Sequence, residues 1–199
     1  MANVPLRIRR LVEPDHAAVQ RVFGGLSATS RYRRFHAPIH RLSERLLDYL
    51  ATPGPDHLIL VAEVLTSDGW EPVGLARAVR TTASEAELAI EVVDDWQGRG
   101  IGRRLVDRIT VLAGAAGMTN VVGEILPDNE PMLALWAQSF PRSRTVSVGR
   151  SRTLRAALDA GPWRPDGQTV SVRRRPPSEP TRSPRNAKTS LSTTQGGEG

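Results

Sequence analysis

Residues 86 to 117 read AELAIEVVDDWQGRGIGRRLVDRITVLAGAAG. Leu88, Ile90 and Val92 alternate with Glu87, Ala89 and Glu91, so the opening segment is a strand with one apolar and one polar face. An acidic loop follows, then Gln97, Gly98, Arg99, Gly100, Ile101 and Gly102. After it Ile101, Leu105, Ile109, Leu112 and Ala116 recur at spacings of three and four, which predicts an amphipathic helix. Glycines let a backbone pass close to a ligand. The N–H groups that open a helix have no internal partner, and with the helix dipole they make an anion site suited to a diphosphate.

Working outward, Val121 to Leu126 reads as a second strand, leading into Asn129 and a helix with Met132, Leu133, Leu135 and Trp136. Upstream, Leu58 to Leu65, Val73 to Val79 and the strand bearing Glu87 are separated by short turns, which favours an antiparallel meander. The strand, loop, helix, strand unit from Glu87 to Leu126 favours a parallel pair. Leu6 to Val12 predicts an opening strand. Asp15 caps a helix carrying Ala18, Val19, Val22 and Phe23, and Ser43 starts another with Leu46, Leu47 and Leu50. Leu26 to His40 lacks periodicity and reads as a loop rich in Arg, Tyr and Phe. Ser143 to Val148 and Arg152 to Leu158 form a closing hairpin, and Val170 with Val172 suggests a short extra strand.

The chain has 199 residues, room for one domain with a sizeable core. It has no cysteine, which removes disulfides, thiol nucleophiles and thiolate metal sites; no metal site is expected. No apolar run approaches the roughly 20 residues of a bilayer span, and no leader pattern opens the chain, so a cytoplasmic protein without membrane attachment is expected. The net charge is +6; from Arg173 onward the balance is +4, which leaves +2 for the rest. That body lacks the concentrated basic face of a nucleic-acid binder, and no specific nucleic acid is expected. From Arg175 the composition turns to Pro, Ser, Thr and Arg, too poor in apolar residues to offset ordering entropy. The expected division is a folded domain over 1–174 and a disordered basic tail over 175–199.

Gln97-x-x-Gly100-x-Gly102 between a strand and a helix resembles the acyl-CoA loop of the GNAT N-acyltransferases. Ser30-Arg31-Tyr32-x-Arg34-Phe35, Arg41-Leu42-Ser43-Glu44, Asp94 to Gly102 and Asn129-x-x-Met132-Leu133 are similar to the bacterial protein lysine acetyltransferase (Pat-type) branch. The resemblance covers about residues 6 to 158. It implies an α/β (α+β) fold, a mixed and mostly antiparallel sheet of about six or seven strands with helices on both faces. It also implies acetyl-CoA as co-substrate and a primary amine as acceptor, a protein lysine or a small molecule, in a monomer or homodimer.

The same resemblance assigns roles. Gln97, Gly98, Arg99, Gly100, Ile101, Gly102 and Arg103 would bind the CoA phosphates, Val92 and Val93 would offer backbone amides to the pantetheine arm and the thioester oxygen, and Asn129 would contact the arm or simply cap its helix. A lysine amine titrates near 10.4, so deprotonating it at pH 7 costs roughly 4 to 5 kcal/mol, and a base is needed. Glu87 stands where the family places that base, an ordinary solvated carboxylate being the other reading; Glu91 is the reserve and Glu85 a poorer one. Tyr32, Arg34 and Phe35 would line the acceptor side. Many GNAT enzymes carry a tyrosine on the helix after Asn129 as acid for the leaving thiolate, and here Trp136 occupies that position, so water, Tyr32 or Tyr49 would take the task or Trp136 would be core. The alternative function is an acyl-CoA-binding sensor or scaffold without turnover.

Overall fold

The computed structural model describes residues 3–158 and 169–173. In chain order these form β1 (Asn3–Arg10), α1 (His16–Gly24), α2 (Ala28–Phe35), α3 (Glu44–Ala51), β2 (His57–Thr66), β3 (Gly69–Arg80), β4 (Glu85–Val92), α4 (Ile101–Ala115), β5 (Asn120–Ile125), α5 (Glu130–Ser139), β6 (Arg144–Val148), β7 (Arg152–Ala157) and β8 (Val170–Arg173). The expected tail over 175–199 lies outside the described residues.

One mixed sheet runs β6-β7-β5-β4-β3-β2-β1-β8. Its eight strands exceed the expected six or seven because the short β8 adds to the edge of β1. Each neighbouring pair is antiparallel except β4 with β5, which is parallel. The central strand β2, with the run Leu58 to Val64, is apolar at nearly every position because both of its faces are covered. Leu58, Leu60, Ala62 and Val64 join Leu105, Ile109 and Leu112 of α4 on one face. Ile59 and Val61 join Val19 and Val22 of α1 and Leu50 of α3 on the other.

Local chemistry sets the helix starts. Asp15, Ser27 and Ser43 each accept a hydrogen bond from a backbone N–H three residues on, at 2.9, 3.1 and 3.3 Å. Ser27 opens α2, where the sequence suggests a loop. The helix Ala28–Phe35 buries no residue fully, so it has no apolar stripe to betray it. Its cap is joined by Arg31, whose Nε and Nη1 donate to the carbonyls of Phe23 and His40 at 3.2 and 3.0 Å.

Candidate active site

β4 and β5 pair over three residues only, Glu85↔Asn120, Ala86↔Val121 and Glu87↔Val122. Beyond Glu87 the strands part, because β4 stays registered with β3 as far as Gly74↔Val92 while β5 stays with β7 as far as Ile125↔Arg152. The split opens a cleft of about 700 Å³ walled by α2, β4, the glycine loop, α4, β5 and α5. Val93 donates its amide to the Val73 carbonyl at 2.9 Å. Since N–H groups alternate in direction along an antiparallel pair, those of Ala89 and Glu91 also face β3, and those of Ile90 and Val92 face the side β5 has left. Val93 was expected beside Val92 as a donor to the ligand. Its amide is already spent on β3, which leaves Val92 and brings in Ile90.

The glycine loop follows β4. Gly98 and Gly100 have φ of 71° and 76°, a left-handed backbone that costs other residues roughly 1–2 kcal/mol. This twist turns the chain into α4 with its opening amides toward the cleft. The first helical bond from this end is Arg104 N to Gly100 O at 3.2 Å, and among the described residues no acceptor faces the amides of Gly98, Gly100, Ile101, Gly102 and Arg103. Gln97 Nε2 donates to the Val92 carbonyl at 2.9 Å, bracing loop against strand. This donor set fits a diphosphate. Arg103 lines the cleft while bridging to Asp107 and to the Gln138 carbonyl, each at 2.8 Å. The Arg99 guanidinium lies over Trp96 and donates to the Arg173 carbonyl of β8; Arg99 is not among the residues that line the cleft.

Glu87 is exposed and lines the cleft at the last paired position of β4. Glu91 shares its strand face and meets a different fate. It is buried, receives Arg34 Nε on one oxygen and Arg77 Nη2 on the other, and Arg77 is only 1% exposed. Burial alone would push the Glu91 carboxyl up. The Arg77 and Arg34 charges and their hydrogen bonds overcome this and hold it below the usual carboxylate range. A carboxylate so engaged cannot accept a proton near pH 7, which removes Glu91 as a reserve base. Glu85 is tied to Arg155 at 2.7 Å.

Arg34 and Phe35 line the cleft as expected, joined by Ser30, Arg33 and His36; Tyr32 lies outside it, 46% exposed. Glu124 of β5 lines it too. It lies two positions beyond Val122, the partner of Glu87, and therefore projects from the same face; that alternation was the signal in the sequence. Asn129 lines the cleft and caps α5, its Oδ1 accepting from Met132 N at 3.3 Å.

Residues 26–140 match the sequence profile of the acetyltransferase (GNAT) family. The chain belongs to this family. It is similar to acetyltransferase Pat of Mycolicibacterium smegmatis, 36% identical over an alignment of 121 residues, which covers 57% of this chain and 35% of that protein. The chain thus spans about a third of the length of this curated relative. Among solved structures, the GNAT domain of S. lividans PAT superposes with a TM-score of 0.69 at 26% identity, covering 79% of this chain and 96% of that one. A cAMP-binding acyltransferase from Mycobacterium smegmatis gives 0.53 at 25% identity, covering 79% of this chain and 48% of that one. In sequence and fold the chain is similar to Pat-type GNAT proteins.

Within the GNAT frame Trp136 is the departure, and its packing explains it. The indole is 2% exposed and lies against Gly123 of β5, where a Cβ would come within 2.4 Å of the ring. Glycine at 123 makes room for tryptophan at 136. The indole packs against Phe140 with ring centroids 4.6 Å apart and planes tilted by 51°, and its Nε1 has no hydrogen-bond partner among the described residues. It is core. Tyr49 stacks on His57 and, like Tyr32, does not line the GNAT cleft, so neither replaces the missing acid.

Proposed function

We propose that this chain is an N-acetyltransferase that moves an acetyl or other short acyl group from acyl-CoA to a primary amine, with a protein lysine as the acceptor class. The observation that carries the reading is the exposed Glu87 at the vertex where β4 and β5 part, beside a loop in which the amides of Gly98 and of Gly100 to Arg103 meet no acceptor among the described residues. On this reading the amides of Gly98 and of Gly100 to Arg103 hold the diphosphate. Val92 and Ile90 offer their outward N–H groups to the pantetheine arm and to the carbonyl oxygen as charge develops on it. Arg34 and Phe35 line the acceptor side, and Asn129 faces the arm from its cap position.

On this reading the amine attacks the thioester directly; cysteine is absent from the chain, so no thiol relays the acyl group. The amine nitrogen forms the new C–N bond, the C–S bond breaks, and the amine proton passes to Glu87, directly or through water. Water protonates the departing thiolate, because Trp136 is buried and carries no acidic proton.

Acetyl-CoA is mixed with a lysine peptide, and acetyl addition is followed by mass spectrometry. Glu87→Gln is expected to lower turnover by roughly 10²–10⁴ with CoA affinity retained. Equal turnover in the variant removes Glu87 from the role. Tight CoA binding with no transfer to any amine favours the sensor reading, to which the missing acid at Trp136 lends its support.

A further inference from the structure

Four links enclose the approach to Glu87. The carboxylate of Glu91 ties β4 to Arg34 of α2. The next residue of α2, Arg33, reaches in another direction: its Nη2 donates at 2.8 Å to the carbonyl of Asp128, in the turn between β5 and α5, with the Asp128 carboxylate 3.6 Å away. That turn continues into β5, and β5 returns to β4 through the Val122↔Glu87 pairing. The circuit β4, α2, β5–α5 turn, β5 is closed by the two arginine links, the covalent run from the turn into β5 and the β4–β5 ladder pairing. Glu87 stands on its rim, Glu124 projects from the same face, and Arg33, Arg34, Glu87, Glu124 and Asn129 all line the one cleft.

We infer that Arg33 is a specificity-determining residue: it closes this ring, so that the acceptor must thread it as a slender, unbranched chain ending in an ammonium group. This deepens the proposed transferase reading and rests on it. A lysine side chain has that shape. An amine branched beside its nitrogen does not, since its branch must pass between α2 and the β5–α5 turn where the Arg33 guanidinium lies. By charge the rim is balanced, with the carboxylates of Glu87 and Glu124 set against Arg33 and the Arg34–Glu91–Arg77 cluster, so the selection is made by shape. Arg33 Nε is buried with no hydrogen-bond partner among the described residues. A peptide carbonyl entering with the lysine would satisfy it.

Of the two arginine links Arg33 is the removable one, because it is bonded chiefly to a backbone carbonyl and is not in the buried ion cluster. The test has two arms. In the first, acetyl transfer to an unbranched alkylamine and to an α-branched isomer of the same carbon count is compared in wild type, Arg33→Ala and Arg33→Lys. Arg33→Ala is expected to raise relative kcat/KM for the branched amine by about tenfold, the range in which a pocket discriminates by a methylene or two, with Arg33→Lys closer to wild type. In the second arm Glu87→Cys provides the sole thiol of the chain, since cysteine is otherwise absent. It is labelled by aminoethyl and by trimethylammonioethyl methanethiosulfonate, with desulfo-CoA present to fill the cofactor side. The ratio of the two rates cancels intrinsic thiol reactivity and is read whether or not any amine is acetylated. Adding Arg33→Ala is expected to raise the bulky-to-slender ratio by about tenfold. An unchanged ratio overturns the ring as an acceptor filter, whereas an unchanged wild-type failure to acetylate any amine, alongside a raised ratio, overturns the transferase reading and leaves the filter standing.

Discussion

Replacing Glu91 with glutamine keeps the shape of the side chain and removes the charge that two guanidinium groups share. Arg77 then remains in the interior, 1% exposed, with its Nε and Nη1 already lacking partners among the described residues. Breaking a buried ion pair from one side costs about 3–5 kcal/mol, because the surviving charge is left uncompensated. For a domain of this size each kcal/mol shifts Tm by about 2–4 °C, so the melting point is expected to fall by roughly 6–20 °C. Urea unfolding followed by far-UV dichroism measures the loss directly, and Glu87→Gln, exposed on the same strand, is the control, expected within about 0.5 kcal/mol of wild type. Combining Glu91→Leu with Arg77→Met is expected to recover part of the loss, since an apolar pair of similar volume removes the two fully buried charges and leaves only the partly exposed Arg34 without its carboxylate. The pH dependence has a fixed sign. The folded Glu91 carboxyl lies below its unfolded value, so its contribution is complete above about pH 4.3 and is lost as pH falls through the folded value. Asp15, held low against its burial by Arg9 and the Ala18 amide, adds in the same direction. Acid titration of stability is therefore expected to be shallower in Glu91→Gln than in wild type. A cost below about 1 kcal/mol for Glu91→Gln, or an unchanged acid titration, would refute the assignment of this carboxylate to the fold rather than to proton transfer.

Two further outcomes bear on the loop and the core. Gly100→Val places a branched side chain at φ 76°, and calorimetry is expected to show CoA affinity reduced by more than about tenfold while the melting point falls modestly, by the roughly 1–2 kcal/mol of left-handed strain; an undiminished affinity means the loop does not grip the ligand. Gly123→Ala drives a methyl into the Trp136 ring, and a loss of about 1–3 kcal/mol is expected, partly restored by Trp136→Phe; a neutral Gly123→Ala shows that the indole has other room.

The parts of the site readable in the sequence are those carried by backbone periodicity. Leu88, Ile90 and Val92 against Glu87, Ala89 and Glu91 give strand and face, the helical spacing from Ile101 gives the element that ends the glycine loop, and Asn129 announces the cap of α5. What alternation does not carry is depth. Glu87 and Glu91 occupy equivalent faces of one strand and look alike in the sequence, yet one is exposed at the split and the other is sealed beneath α2 with Arg77. The difference comes from Arg34, more than fifty residues away, delivered by a helix that has no apolar stripe and so left no periodic trace. That helix is held by the Ser27 cap, by Arg31 on backbone carbonyls and by the Arg34–Glu91 and Arg33–Asp128 links. The same contacts that fasten α2 shape this wall of the cleft. The arginines that make Leu26 to His40 resemble a solvated loop are thus what fold it, and a substitution among them is expected to change stability and acceptor choice in different proportions: Arg34 chiefly the first, Arg33 chiefly the second.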